Sequence, residues 1–380
     1  MTLIERIAFR VLIGAAALLL VVPGSAQTLS KGKTGQFSRA LHPLAVHAGG
    51  RVQPDGRGYR YRWPGVYFET TFSGPELVVR IDDPTVEYRL LIDDRAAITI
   101  DRPARAEFRV AGLTPGSHRA RLEKVNEGSG GPGRFGGFFA RAPGASPPRP
   151  RSAQIEYIGD SSMTGFGLRA SDPACAAGAA LALTDTPAAY PALIARRIDA
   201  DYQVNAISGR GLVRNYGLGA PERTLSTLYP NALRDIPSPY RDPTWRPHLY
   251  VLSLMADFAS PIRPGERWAS LAAVADDYVA ALEKLAAELH RRSPDAAFAI
   301  GWPRIEPTGD PGSARFVAAL REATLAAARK AGFARVGAYE IDLPGLQRTG
   351  CGGHYSAADQ RLLATRIFGQ LARQRLLPTF

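Results

Sequence analysis

Between residues 51 and 144 the chain runs in short stretches in which apolar and polar positions alternate. Beyond residue 153 it changes to short strand-like runs, one of them (249–254) continuously apolar, separated by longer amphipathic ones. In the first part, residues 66–72, 77–81, 88–92, 97–100, 106–110 and 118–124 each read as a strand with one buried face. Ser73-Gly74-Pro75, Asp93-Asp94 and Thr114-Pro115-Gly116 supply turns between them. Short strands at this spacing predict a β-sandwich or jelly roll. The glycine-rich stretch 127–137 lacks a closing Gly-Lys-Ser/Thr and no helix pattern follows it, so it reads as a hairpin loop and not as a phosphate cradle.

In the second part, strands are expected at 155–158, 202–207, 249–254, 296–300 and 334–339. Helices are expected at 188–198, 268–292, 313–331 and 357–375. This alternation predicts a parallel sheet wrapped by helices, a three-layer α/β/α arrangement whose ligands bind at the carboxyl ends of the strands. Residues 142–150 are rich in proline and glycine and read as a linker. The chain thus divides into a signal peptide (1–26), a leader segment of little pattern (27–50), a β domain (51–144), a linker (145–152) and an α/β domain (153–380).

The signal assignment rests on Arg6 and Arg10, the unbroken apolar and small run 11–22, and Pro23-Gly24-Ser25-Ala26. That run is shorter than the ~20 residues of a membrane span. Cleavage after Ala26 is expected, giving a secreted or periplasmic protein with no stable membrane insertion; an uncleaved anchor is the alternative. No cysteine lies near the cleavage point to take a lipid.

Composition adds little to the fold: 45% hydrophobic and 22% charged residues are ordinary for a globular protein. The formal charge of +12 raises the question of nucleic acid. The basic residues are spread along the chain, with no long like-charged run and no basic helix interleaved with aromatics, so a nucleic-acid partner is not expected. A monomer is. The two cysteines, Cys175 and Cys351, suggest one disulfide in an exported protein, the alternative being two buried thiols.

The chemistry concentrates where strands end. The first α/β strand runs into Gly159-Asp160-Ser161, a sharp turn that presents the Ser161 hydroxyl and a free backbone N–H at the sheet edge. A Gly-Asp-Ser by itself is more often a plain helix cap. Serine needs a base. Among six histidines, His354 lies in the loop between the last strand and the last helix, at that same edge. After the second strand, Gly209 can bring a backbone N–H close to a ligand. Trp302, just past a strand end, reads equally as a sugar-stacking ring or as core.

Taken together, these blocks resemble the SGNH or GDSL hydrolase superfamily, and more narrowly carbohydrate esterase family 2. The resemblance rests on Ile155 to Ser161 running on to Gly165-Phe166-Gly167, on Ser208-Gly-Arg-Gly-Leu-Val-Arg-Asn215, on Gly350-Cys351 before His354, and on Trp63-Pro64-Gly65. It covers nearly all of the chain after the signal. It implies an N-terminal jelly roll joined to an SGNH domain, an acetylesterase acting on O-acetylated polysaccharide or oligosaccharide, and no metal or organic cofactor. Ser161 would be the nucleophile, His354 the base, and the Ser161 and Gly209 N–H groups the oxyanion hole.

Two departures stand out. The superfamily's third block carries an asparagine that donates to the oxyanion, and here Leu254-Met255-Ala256-Asp257 puts Ala256 in its place. Losing one such donor lowers turnover about 10²–10³-fold. Either Arg210 or another group substitutes, or the enzyme is slow; Arg210 and Asp257 are also candidate substrate contacts. The acid that usually precedes the histidine is absent as well, which points to a Ser–His dyad whose imidazole is held by a backbone carbonyl. A carbohydrate-binding protein on a weakened hydrolase, or a short-chain lipid or thioester hydrolase, are the rival readings.

Overall fold

The computed structural model describes residues 27–95, 98–143, 148–176, 178–217, 220–303 and 311–378; the expected signal peptide lies outside them. The N-terminal half folds as two antiparallel sheets. One contains, in order, Thr28–Gly32, Ala104–Ala111, Glu76–Asp83, Gly133–Ala140, Gly58–Tyr61 and Val52–Asp55, with His42–Pro43 joined to Gly133–Ala140. The other runs His47–Gly49, Tyr67–Ser73, Ser117–Lys124, Glu87–Ile92 and Ile98–Asp101. Alternate residues of both sheets, among them Phe68, Phe72, Leu77, Val79, Tyr88, Leu90 and Leu122, form one core. Phe68 of one sheet stacks on Phe135 of the other with ring centroids 4.0 Å apart.

Two sequence expectations change here. Residues 27–50 contribute strands to both sheets despite their weak pattern. The glycine-rich stretch is a loop only at first; from Gly133 it is a central strand. A bulge between Phe135 and Gly137 breaks the alternation and lets both Phe135 and Phe138 face the core.

The C-terminal half is a five-stranded parallel sheet in the order Ala200–Ala206, Ala153–Gly159, Leu249–Ser253, Ala297–Trp302 and Arg335–Glu340. Leu249–Ser253 and Ala297–Trp302, near the middle of the sheet, are almost wholly apolar because both faces are covered, whereas Ala153–Gly159 and Ala200–Ala206 also bury Glu156, Asp201, Gln203 and Asn205. Helices Tyr190–Arg197 and Ala357–Arg373 bury Tyr190, Ile194, Leu363 and Ile367 against Ile155, Tyr157 and Val251. Helices Leu271–Arg292 and Pro311–Lys330 bury Tyr278, Leu282 and Leu325 against Ile158, Leu252 and Ile300. The result is the α/β/α layering that the texture predicts. Among the described residues no helix is long and apolar enough to cross a membrane.

The two halves are locked by buried polar contacts. Asp201, on the edge strand Ala200–Ala206 of the parallel sheet, accepts from Tyr67 Oη at 2.5 Å and from the Arg151 N–H at 2.8 Å, and meets His47 Nε2 at 2.9 Å. Burial would raise its carboxyl, but these partners outweigh that and hold it at about 2, below the usual 3.8. A depressed carboxyl stabilises the fold fully above the unfolded-state value, and that contribution is lost as pH falls through the folded one. Asp201→Asn therefore lowers the melting temperature at pH 6, and its deficit against the unsubstituted protein closes between about pH 4 and pH 2. Thermal scans across that window give the measurement; a deficit independent of pH would contradict it.

Candidate functional site

The first parallel strand ends at Gly159 on the carboxyl edge of the sheet, and a helix of four residues, Ser161–Thr164, follows at once. Asp160 caps it through Ser162 N–H at 3.1 Å. Its other oxygen accepts the N–H groups of Met255 (3.1 Å) and Ala256 (3.2 Å), so one carboxylate fastens the Ser161 turn to the loop after the third block's strand. Burial pushes the Asp160 carboxyl up, and those N–H bonds oppose it. Ser161, at the first helical position, has an N–H with no intrahelical acceptor.

His354 sits across from it. Its Nε2 lies 2.9 Å from Ser161 Oγ, and its Nδ1 lies 2.7 Å from the carbonyl oxygen of Cys351. A carbonyl can only accept, so Nδ1 carries the proton and the Nε2 lone pair faces the serine hydroxyl. Phe166 packs obliquely on the imidazole with centroids 4.9 Å apart. Serine and histidine are both partly exposed.

The Cys351 carbonyl is itself well anchored. A disulfide joins Cys351 to Cys175, with Cα atoms 5.3 Å apart. Cys351 N–H donates to Gly167 O at 3.2 Å and Gly352 N–H to Pro173 O at 2.8 Å. Gly167 is needed for this approach: a Cβ there would lie 2.5 Å from Cys351 Cβ. Ser356 then starts the last helix with a capping box to Asp359.

Among the described residues, the carboxylates Asp172, Asp342 and Asp359, candidates for a third member, are engaged elsewhere. Asp359 accepts from Gln347, Arg348 and Ser356 N–H groups, Asp342 from Tyr355 Oη and Arg348, and Asp172 from Ala174 N–H. Asp257, a candidate substrate contact in the sequence, is instead fully buried. It accepts the N–H groups of Leu212, Val213 and Arg214 at 2.7–2.8 Å and so holds the loop beyond Gly209. Burial pushes its carboxyl up to about 6 in spite of those three bonds, with Asp160 nearby adding to the rise.

Trp302 is also corrected. Only 2% exposed, it belongs to the core between the sheet and the helices Leu271–Arg292 and Pro311–Lys330 and offers no face to a sugar. Arg210 is partly exposed and donates to Ala220 O at 3.4 Å. Burial, with Arg223 and Arg234 close by, lowers its basicity. Gly209 takes a left-handed φ of 74°. Ala256 presents only a methyl group, 5% exposed.

Sequence reasoning missed two neighbours of this site, Phe166 and Glu127. The first lies inside a quoted motif; the second comes from the β half and has no motif of its own. Among the described residues no group of three or more His, Cys, Asp or Glu side chains is gathered as a metal site requires. A cavity of about 1010 Å³ lies beside Leu212, Arg214, Tyr229 and Trp268, and neither Ser161 nor His354 lines it.

Residues 48–150 match the family model described as carbohydrate esterase 2 N-terminal. An acetylxylan esterase / glucomannan deacetylase of Cellvibrio japonicus is 35% identical over 342 residues, which are 88% of this chain and 92% of the relative. A solved carbohydrate esterase, described as having an active site with divergent catalytic and non-catalytic binding functions, superposes with a TM-score of 0.76 at 34% identity, covering 87% of this chain and 98% of its own. The family 2 carbohydrate esterase of Corynascus thermopiles (Myceliophthora fergusii), solved with a carbohydrate-binding domain, gives a TM-score of 0.73 at 26% identity over 87% and 99%. With an antiparallel β half, a parallel α/β half and this extent of likeness, the chain belongs to carbohydrate esterase family 2 and is a carboxylic ester hydrolase of the SGNH type.

Proposed function

We propose that the protein is an exported acetylesterase that removes O-acetyl groups from polysaccharide or oligosaccharide such as xylan or mannan, using Ser161 as nucleophile and His354 as base. The observation that supports this most is the 2.9 Å contact of His354 Nε2 with Ser161 Oγ, on an imidazole whose other nitrogen is held by a carbonyl. The reading takes residues 1–26 as a cleaved signal, the β half up to residue 144, with the strands before residue 51 included, as the jelly roll, and 153–380 as the hydrolase, the enzyme working outside the cytoplasm.

Ser161 Oγ attacks the acetyl carbonyl carbon as its proton passes to His354 Nε2. The N–H groups of Ser161 and Gly209 hold the oxyanion that forms. The C–O bond to the sugar breaks as His354 returns the proton to the sugar oxygen. Water, deprotonated by His354 Nε2, then attacks the acyl carbon; the bond from that carbon to Ser161 Oγ breaks as His354 returns the proton to Oγ, and acetic acid leaves, ionising to acetate. The imidazolium is stabilised by the Cys351 carbonyl, a dipole in place of a full charge. The Cellvibrio relative, named for xylan and glucomannan, supports a plant-polysaccharide substrate.

Purified protein should release acetate from acetylated xylan or glucomannan, and a fluorophosphonate probe should leave its adduct on Ser161 in peptide mapping. An adduct on another serine sinks the assignment. Binding of the polysaccharide without acetate release would instead favour the weakened binder, the reading to which Ala256 lends weight.

A further inference from the structure

Glu127 opens the glycine-rich stretch of the β half, yet its carboxylate ends in the α/β half. Oε2 accepts the Ser208 backbone N–H at 3.1 Å, and Oε1 takes the Ser208 hydroxyl in a short hydrogen bond. Ser208 Oγ also lies 3.0 Å from Thr164 Oγ1, on the helix that begins with Ser161. Ser208 immediately precedes Gly209. A single buried side chain of the β half, 3% exposed, thus grips the turn after the second parallel strand and, through Ser208, the helix of the nucleophile.

The surrounding residues aim that grip. The Lys124 ammonium is buried and donates to the carbonyls of Glu127 (3.0 Å) and Trp63 (3.2 Å), pinning the backbone at Glu127. Gly128 then turns with φ 71°, where a Cβ would stand 2.6 Å from Val86 Cγ2, and its carbonyl meets Arg62 Nη1 at 3.4 Å. Gly130 N–H is held by Thr85 Oγ1 at 3.3 Å. The glycines therefore let the chain bend sharply just after Glu127, directing the carboxylate across the seam.

We propose that Glu127 is a positioning residue for catalysis, supplied by the β domain, which sets the turn carrying Gly209 relative to Ser161. It rests on the acetylesterase reading above. It makes the β domain part of the active-site framework and not only a neighbour. A donor for an oxyanion is effective within a few tenths of an ångström, and a shift of about 1 Å can lower turnover about 10²-fold.

The test uses the full-length protein and 4-nitrophenyl acetate. Glu127→Ala should lower kcat about 10–100-fold with KM within about two-fold, and should slow phosphonylation of Ser161 in parallel. Glu127→Gln, which keeps one acceptor, should recover part of the loss. Ser208→Ala combined with Glu127→Ala should cost little more than either alone, because the two act through one contact. A merely structural role would lower the melting temperature and leave the kcat of the folded fraction untouched. That result, or additive losses in the double variant, overturns the proposal. If Glu127→Ala does not fold, an unchanged kcat in Glu127→Gln overturns it. Ser161→Ala run alongside separates the failures: inert Ser161→Ala with normal Glu127→Ala removes only this inference, whereas active Ser161→Ala removes the acetylesterase reading itself.

Discussion

Ser161→Ala and His354→Ala each reduce kcat for acetate release roughly 10⁴–10⁶-fold, with folding intact, and no single carboxylate substitution matches them. The expectation follows from the hydrogen bonds of the imidazole. Its Nε2 meets Ser161 Oγ and its Nδ1 meets the Cys351 carbonyl, so both nitrogens are already used and, among the described residues, no side-chain acid bonds to the ring. In a triad the acid is worth about 10⁴ in turnover. Asp172→Asn, Asp342→Asn and Asp359→Asn should fall far short of that, since each carboxylate serves a local turn, a tyrosine or a helix cap. Asp160→Asn and Asp257→Asn differ, because they brace the loops bearing the site. Their activity should fall together with melting temperature. Both quantities need measuring on each variant. A stable Asp→Asn protein as inactive as His354→Ala would overturn the dyad.

Loss of the Cys175–Cys351 disulfide is expected to act twice, on stability and on turnover. The bond closes a loop with a sequence separation of 176 residues, for which chain entropy gives about 3–5 kcal/mol of stabilisation. It also anchors the residue whose carbonyl orients His354. Cys175→Ser should therefore lower the melting temperature and, well below that temperature, still lower kcat about 10–100-fold, because the carbonyl is free to drift by about an ångström. Cys175→Ser leaves the Cys351 backbone in place, which separates the effect of the tether from that of residue 351 itself. Thermal unfolding and steady-state kinetics on the same preparation read the two effects. Unchanged kcat in a destabilised variant would show that the backbone bonds from Cys351 and Gly352 suffice.

What could be read from the sequence follows the physics of each signal. The α/β layering was legible because Leu249–Ser253 and Ala297–Trp302, covered on both faces, are almost wholly apolar and the helices keep a 3.6-residue period. The serine and histidine were legible because strand-end loops of a parallel sheet share one edge. The direction of a buried side chain was not. Asp257 and Trp302 stand at that edge in sequence, but the carboxylate turns inward to three backbone N–H groups and the indole into the core. Gly133–Ala140 was hidden by its bulge, which breaks the period of two. Thr28–Gly32 is an edge strand with four of its five residues exposed, so it shows no hydrophobic face. Glu127 could not be found at all, because its partner Ser208 lies 81 residues away across the seam.

In the proposed dyad the group that orients the base is a peptide carbonyl, and this alters how the enzyme can be damaged. An aspartate in that place could be lost by a single codon change, whereas residue 351 retains its carbonyl whichever amino acid is encoded. Point mutation can reach the orienting oxygen only indirectly, by moving the loop. Its vulnerability is therefore to insertions and deletions around Gly350 to Gly353 and to reducing conditions. Loop grafting in this region should be a harsher perturbation than saturation mutagenesis at the position itself.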